Sequence, residues 1–271
     1  MGTGTGTGTG TGVRQSGAVP LTDPLHVALL VLTGVAAGLV STIVSLASLV
    51  SYPALLAMGL PPVAANVSNT VALVLTGVGS VAGSRQELVG QGRRVLAVGS
   101  VAAVGGAVGA LVLLRTPPGA FTAAVPLLVA AASVTILVQP RLMLRLRTSD
   151  APPSRWWSAG ILAAAVYVGY FGAAGGVLML AALGGAFRDT LIRLNALKNA
   201  VSGFANGVAA AGFIAFGPVR WDAAVPLGVG FLVGGRVGPI VARRLGAARL
   251  RPLIAVSGFA VSALLAVRTY L

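Results

Sequence analysis

The sequence predicts an all-α polytopic membrane protein, with about eight hydrophobic segments arranged as two inverted-topology halves. Three observations carry this reading. The chain of 271 residues is 56% hydrophobic and only 9% charged, with a mean hydropathy of +0.93, whereas soluble domains are about a quarter charged. Its apolar runs are continuous over about 20 residues, the length of helix that crosses a hydrocarbon core of about 30 Å. A transmembrane barrel would alternate instead. Its arginines also gather in short stretches between those runs, as the positive-inside rule requires of cytoplasmic loops.

The elements follow in order. Residues 1–20 open MGTGTGTGTGTG, a Gly/Thr low-complexity tail with nothing to bury, and are expected to be disordered. The first transmembrane half is residues 21–139. It begins with an apolar block over 25–60, too long for one simple span and interrupted by Gly34, Gly38, Pro53 and Gly59. LPPVAANVSN reads as an uncharged turn, and spans follow over 67–83, 95–114 and 121–138. A basic linker, 140–157, reads PRLMLRLRTSDAPPSRWW; its Pro, Ser and charge mark the midpoint of the chain. Trp156 and Trp157 suit an interfacial anchor.

The second transmembrane half, 158–271, repeats this order. A glycine-rich block spans 158–185, a polar turn reads FRDTLIRLN, and spans cover 196–216, 223–241 and 252–270. VSNTVALVLTGVGSVAG in the first half resembles LKNAVSGFANGVAAAG in the second, each opening on a polar pair, Ser68-Asn69 or Lys198-Asn199.

Charge placement bears on how these blocks sit. Arg85, Arg93 and Arg94 lie in one loop, Arg141, Arg145, Arg147 and Arg155 in the linker, Arg188, Arg193 and Lys198 after the second glycine block, and Arg243, Arg244, Arg249 and Arg251 before the last span. If every segment crossed, these loops would fall on both faces. If each glycine-rich block enters and leaves by one face, all four are cytoplasmic, and each half makes three true crossings. An odd number inverts the second half relative to the first, the layout of transporters with discontinuous helices.

Composition excludes several functions. There is no cysteine, hence no disulfide, thiol catalysis or thiolate metal site. The one histidine, His26, reads as an interfacial residue at a helix start, and no metal site or other cofactor is expected. The net charge of +14 is a topology signal rather than a nucleic-acid footprint. No carboxylates pair at helical spacing and no nucleophilic triad can be assembled, so an enzyme is not expected.

The stretch YVGYFGAAGGVLMLAAL, residues 167–183, places Gly169, Gly172, Gly175 and Gly176 close together. Two explanations stand. Small residues let helices approach closely, as the spacings Gly172/Gly176 and Gly34/Gly38 allow. Alternatively, the glycines bend the chain at membrane depth, where irregular backbone lines a cavity and freed N–H groups at a helix N-terminus attract an anion.

Candidate binding residues sit at the same places. Lys198, the only lysine, needs a partner, an anion or a route to the interface. Asn199 and Asn206 share one helix face, and Asn66 and Asn69 hold the matching place in the first half. Asparagine amides donate to an oxyanion without adding buried charge; as interhelical glue they would look the same in sequence. Tyr170 flanks the glycines with Tyr167, and Arg236 is the deepest arginine.

At these residues the chain resembles the TauE/SafE family of sulfite exporter-like membrane permeases. The second half matches through GYFGAAGGVLML, LNALKNAVSGFAN and GPVRWDAAVPLGVGFLVGGRVGPIVARRL, with LRPLIAVSGFAVSALL at the family's last span. The first half matches through AGLVSTI and SYPALLAMGLPPVAANVSNTVAL. The resemblance implies ion-gradient-driven transport of small anions, often sulfur-containing ones such as sulfite or sulfonates. The family's first block usually carries a GG or GGG run where this chain has Val44, Ser45 and Leu46. The first half-site is therefore expected to be hydroxyl-lined or a packing element.

The resulting expectation is a multi-pass permease of a bacterial inner membrane. Gly172, Gly175, Gly176, Lys198, Asn199, Asn206 and Tyr170, with Ser45, Asn66 and Asn69, would bind a small anion between the glycine blocks. Its partners are that anion and the lipid bilayer. A coupling proton or ion and a homo-oligomer stay open, as does the alternative of a non-transporting membrane-embedded assembly or interaction protein.

Overall fold

The computed structural model describes residues 23–148, 156–172 and 175–245. The expected N-terminal tail, part of the linker and the last expected span, 252–270, lie outside the described residues. Among the described residues there is no strand, and ten helices follow in order: α1 (Pro24–Val44), α2 (Ser48–Ala57), α3 (Pro62–Gly83), the short α4 (Arg85–Leu88), α5 (Gly92–Arg115), α6 (Pro118–Thr148), α7 (Trp156–Tyr170), α8 (Gly175–Ala186), α9 (Leu191–Phe216) and α10 (Trp221–Leu245). Six of them, α1, α3, α5, α6, α9 and α10, are long and apolar enough to cross a membrane, while α2, α7 and α8 are shorter apolar helices.

Local chemistry sets several boundaries. Pro24 and Pro62 open α1 and α3 in the first turn, where the missing N–H has no intrahelical use. The LPPVAANVSN stretch is therefore mostly helix rather than turn; Gly59, at φ +86°, and Pro61 make the turn before it. Thr190 caps α9 by accepting from the Arg193 N–H, so α9 begins inside the expected polar turn. Helix α6 runs through Arg141, Arg145 and Arg147 to Thr148, so the first part of the expected linker is a basic extension of a spanning helix.

Close contacts fix the relative directions of the helices. In α1 and α10, Gly34 meets Gly230 and Gly38 meets Gly234, so the two run parallel. In α5 and α7, Gly105 meets Ala165 and Gly109 meets Gly169, again parallel. A Cβ on Gly34 or Gly109 would fall on a carbonyl oxygen of the facing helix, Leu227 or Val166. These positions must lack a side chain for the backbones to touch. Helices α3 and α9 run antiparallel, with Gly77 against Gly203 and Val67 against Gly217.

This pattern survives exchange of the halves. Helix α1 with α10 corresponds to α7 with α5, and α3 crosses its own counterpart α9 in the opposite direction. That is what two inverted halves require.

The second glycine block is a hairpin. Val168 lies against Gly175 and Gly160 against Ala182, so α8 returns along α7 towards the face it came from. Arg94 and Arg193 both bind Asp189, and Arg193 also donates to the Val89 carbonyl. The loop before α5 and the loop before α9 therefore share one face, as the charge pattern of the sequence demands. Burial alone would raise the pKa of Asp189. The Thr190 N–H, Arg193 and Arg94 outweigh it and hold the carboxyl below its usual range.

Candidate functional site

Both interruptions of the helices lie at the same place in the molecule. Helix α1 ends where Ser45 adopts the left-handed conformation, φ +71°. Helix α7 ends before Gly172, φ +76°. Only a few residue types visit this region without strain, and glycine does so freely. The two turns face each other: a Cβ on Gly176 would lie 2.8 Å from the Ser45 Cβ, and one on Gly172 would lie 3.7 Å from Ser48 Oγ. An aromatic group holds the second turn in place, with Phe171 edge-on to Tyr52 at 5.4 Å and to Phe121 at 6.0 Å.

Between the turns is a cavity of about 50 Å³ measured as space for the centre of a water molecule. A water-sized sphere itself occupies about 10–15 Å³, so the space admits a few waters or a small ion. Its wall is hydroxyl-rich. Ser41, Ser45 and Ser48 come from the first hairpin, α1 and α2 joined by the turn at Ser45, and Thr76 and Ser80 from α3. The opposite wall is Gly172 and Gly176 from the second hairpin, with Lys198, Asn199, Ser202 and Asn206 from α9.

Lys198 is 2% exposed. Its Nζ donates to Ser45 Oγ at 2.7 Å and to the Ser41 carbonyl at 3.4 Å. No ion pair among the described residues includes it, and Asp23, Asp189 and Asp222 are each paired with another basic side chain. An isolated ammonium buried without a counter-charge is among the most unfavourable groups a protein can hold.

Four polar atoms of cavity residues are also buried without a hydrogen-bond partner: Thr76 Oγ1, Asn199 Nδ2, Ser202 Oγ and Asn206 Oδ1. Such atoms cost about 1–3 kcal/mol each when unmatched.

The helix ends around the cavity are treated unequally. The final carbonyls of α1 and α7 are covered: Asn195 donates to the Thr42 carbonyl at 2.8 Å, and Asn66 donates to the Tyr170 carbonyl at 2.9 Å. Each asparagine comes from the third helix of the other half, so the pair is another mark of the exchange symmetry. The same offset along the chain brings Asn69, rather than Ser68, into register with Lys198. Meanwhile α2 begins at Ser48 and α8 at Gly175, and Ser48 and Gly176, in the first turns of these helices, line the cavity. The positive ends of two short helices thus converge with one ammonium.

Of the residues expected from sequence, Ser45, Gly172, Gly176, Lys198, Asn199 and Asn206 line this cavity. Four others sit behind it. Gly175 is buried against Val168 and its N–H donates to the Gly172 carbonyl. Asn66 covers the end of α7. Asn69 accepts from Ser51 and donates to Ser48, bracing the first hairpin. The Tyr170 ring packs edge-on to Phe121.

Ser41, Ser48, Thr76, Ser80, Ser202 and Asn195 were not singled out in the sequence. The hydroxyl spacing Ser41, Ser45, Ser48 and the Asn66/Asn195 correspondence were the available signals. Arg236 is exposed on α10 and does not line the cavity.

A family model described as sulfite exporter TauE/SafE matches residues 30–265. The chain belongs to the TauE/SafE family. No curated protein and no solved structure matches it. Membership in the TauE/SafE family, with six membrane-length helices among the described residues, makes the chain a multi-pass membrane permease. The TauE/SafE match spans both halves and both hairpin turns, so it covers every residue of the cavity.

Proposed function

We propose that this permease is a secondary transporter of small anions, with sulfur oxyanions such as sulfite or organosulfonates as the substrate class, in a bacterial inner membrane. The single observation that carries the reading is Lys198: a buried ammonium without a carboxylate partner, facing a small cavity whose other walls hold unmatched amide and hydroxyl groups. An oxyanion answers both needs. Its charge compensates the ammonium, and its oxygens accept from Asn199, Ser202 and Thr76 while helix N-termini orient it.

The alternative, a membrane-embedded assembly protein, would bury these polar groups in dry helix contacts. Their convergence on one cavity favours transport.

The test is flux into proteoliposomes with sulfite, sulfate, methanesulfonate and acetate presented in turn. Sulfur oxyanions should enter faster than acetate, and Lys198→Met should slow them. A charge-assisted hydrogen bond is worth about 1.5–3 kcal/mol, so the slowing should be about 10- to 100-fold. Equal flux with and without the protein for every anion would remove the proposal.

A further inference from the structure

We propose that Lys198 is a tethered coupling cation: its ammonium fills the place at the end of α1 that a free metal cation would take, so each anion travels with one proton on this amine and without sodium. The inference rests on reading the cavity as an anion site.

The end of a helix exposes carbonyls that carry partial negative charge. In transporters with discontinuous helices, such ends and the unwound carbonyls beside them coordinate sodium. Here those oxygens already have donors. The Ser41 carbonyl and Ser45 Oγ accept from Lys198, and the Thr42 carbonyl accepts from Asn195. On the other hairpin, the Tyr170 carbonyl accepts from Asn66. A metal ion entering at α1 would displace these donors and sit beside a like charge.

Among the described residues, the amine is the one titrating group on the cavity wall. Around it α1 presents Ser41 and Ser45, α2 presents Ser48, and α3 presents Thr76 and Ser80. Helices α7 and α8 present Val168, Gly172 and Gly176, and α9 itself adds Asn199, Ser202 and Asn206. Tyr52, Tyr167 and Tyr170 stand on the neighbouring hairpins but do not line the cavity. Arg193, on the same helix, is turned to Asp189. The carboxylates Asp23, Glu87, Asp189 and Asp222 all lie at helix ends or in loops, and Asp150 falls outside the described residues. A carboxylate relay through the spans therefore has no members among the described residues.

Charge balance then sets the cycle. On the loading side, the neutral amine takes a proton from water and the anion pairs with the ammonium, so the loaded carrier gains no net charge. On the far side the anion leaves and the proton returns to water. The empty carrier goes back with a neutral amine, to which the Ser45 hydroxyl can donate just as it accepts from the ammonium. One proton moves with each monovalent anion.

The experiment uses the full chain in proteoliposomes holding a pH-sensitive dye, with sulfite, sulfate and methanesulfonate outside, in sodium and in choline media. The expected result is equal uptake in both media, lumenal acidification that accompanies uptake, and acceleration by an inward proton gradient. Lys198→Arg fixes the charge. Both its exchange and its net uptake are expected to slow, but the ratio of net uptake to anion–anion exchange should fall by about tenfold or more. A sodium requirement, uptake without acidification, or an unchanged ratio in Lys198→Arg would overturn the coupling. If Lys198→Arg is not recovered in membranes, the sodium and acidification arms on the wild-type protein still decide. Failure of every anion to move would instead sink the anion reading itself.

Discussion

Lys198 sets a conflict between stability and use. The amine is held by a hydroxyl and one carbonyl, with no opposite charge; buried there, it is unfavourable both when charged without a pair and when kept neutral against its tendency to bind a proton. Lys198→Met removes that penalty and keeps the aliphatic volume. It is expected to raise the apparent melting temperature in detergent while slowing flux. A gain of about 1 kcal/mol corresponds to roughly 2–4 °C for a chain of this size. A lower melting temperature would mean that the Ser45 and Ser41 contacts outweigh the charge. Gly176 is the second decisive residue. A side chain there meets Ser45 at once, so Gly176→Leu should close the cavity and abolish flux while the protein still inserts. Gly207 is the control: nothing lies within 4 Å of a Cβ built there, and Gly207→Ala should leave flux intact and add helix propensity. At this scale the sequence was half legible. Lysine and asparagine in a span announce themselves because lipid tolerates them badly. Serines do not, since a hydroxyl can return its hydrogen bond to its own helix, as Thr70 does to the Asn66 carbonyl. The hydroxyl wall could therefore be seen only once the two turns were brought together.

At the scale of the element, the glycines divide between two roles that composition does not separate. Gly34, Gly38 and Gly169 are contact points where backbones meet. Gly172 is a turn residue with positive φ, and Gly176 borders the cavity. Spacing alone predicted both roles for one pattern; what separates them is whether a partner helix or a break lies opposite, which is tertiary information. The element-scale prediction concerns the covered helix ends. Asn66→Ala and Asn195→Ala each leave one last-turn carbonyl without its donor. Each should lower stability by about 1–2 kcal/mol, read as a fall in melting temperature. Because they serve equivalent ends of the two hairpins, the two losses should be similar. A large loss in one and none in the other would show that the halves are not energetically equivalent.

At the scale of the whole molecule, charge and packing agree on orientation. The loop charges implied that the basic loops share a face, and the Arg94–Asp189–Arg193 cluster ties two of those loops together. The hairpin of α7 and α8 is the device that makes this consistent. It was legible because an odd number of crossings was the only way to keep the arginines together. The detailed exchange of α1/α10 for α7/α5 was not, because glycine contacts between distant helices leave no local pattern. The Asp189 cluster has a defined pH dependence. Its carboxyl is depressed, so its contribution is complete above the ordinary carboxylate range and is lost as pH falls through the lowered value. Because the arginines are partly exposed, the effect is small, of the order of an exposed pair at about 0–1 kcal/mol.

Orientation itself is open to a direct test, since the chain has no cysteine and any introduced one is unique. Arg93→Cys, Arg145→Cys, Arg193→Cys and Arg249→Cys should all react with a membrane-impermeant maleimide only from the cytoplasmic side. Thr116→Cys and Pro218→Cys, at the far ends of α5 and α9, should react only from outside. Positions 145 and 193 flank the α7–α8 hairpin, so they are the deciding pair. With a hairpin they label from the same face; with two full crossings replaced by a single one they would label from opposite faces. In that case the inverted relation of the halves, and with it the meeting of the two helix breaks at Lys198, would fail.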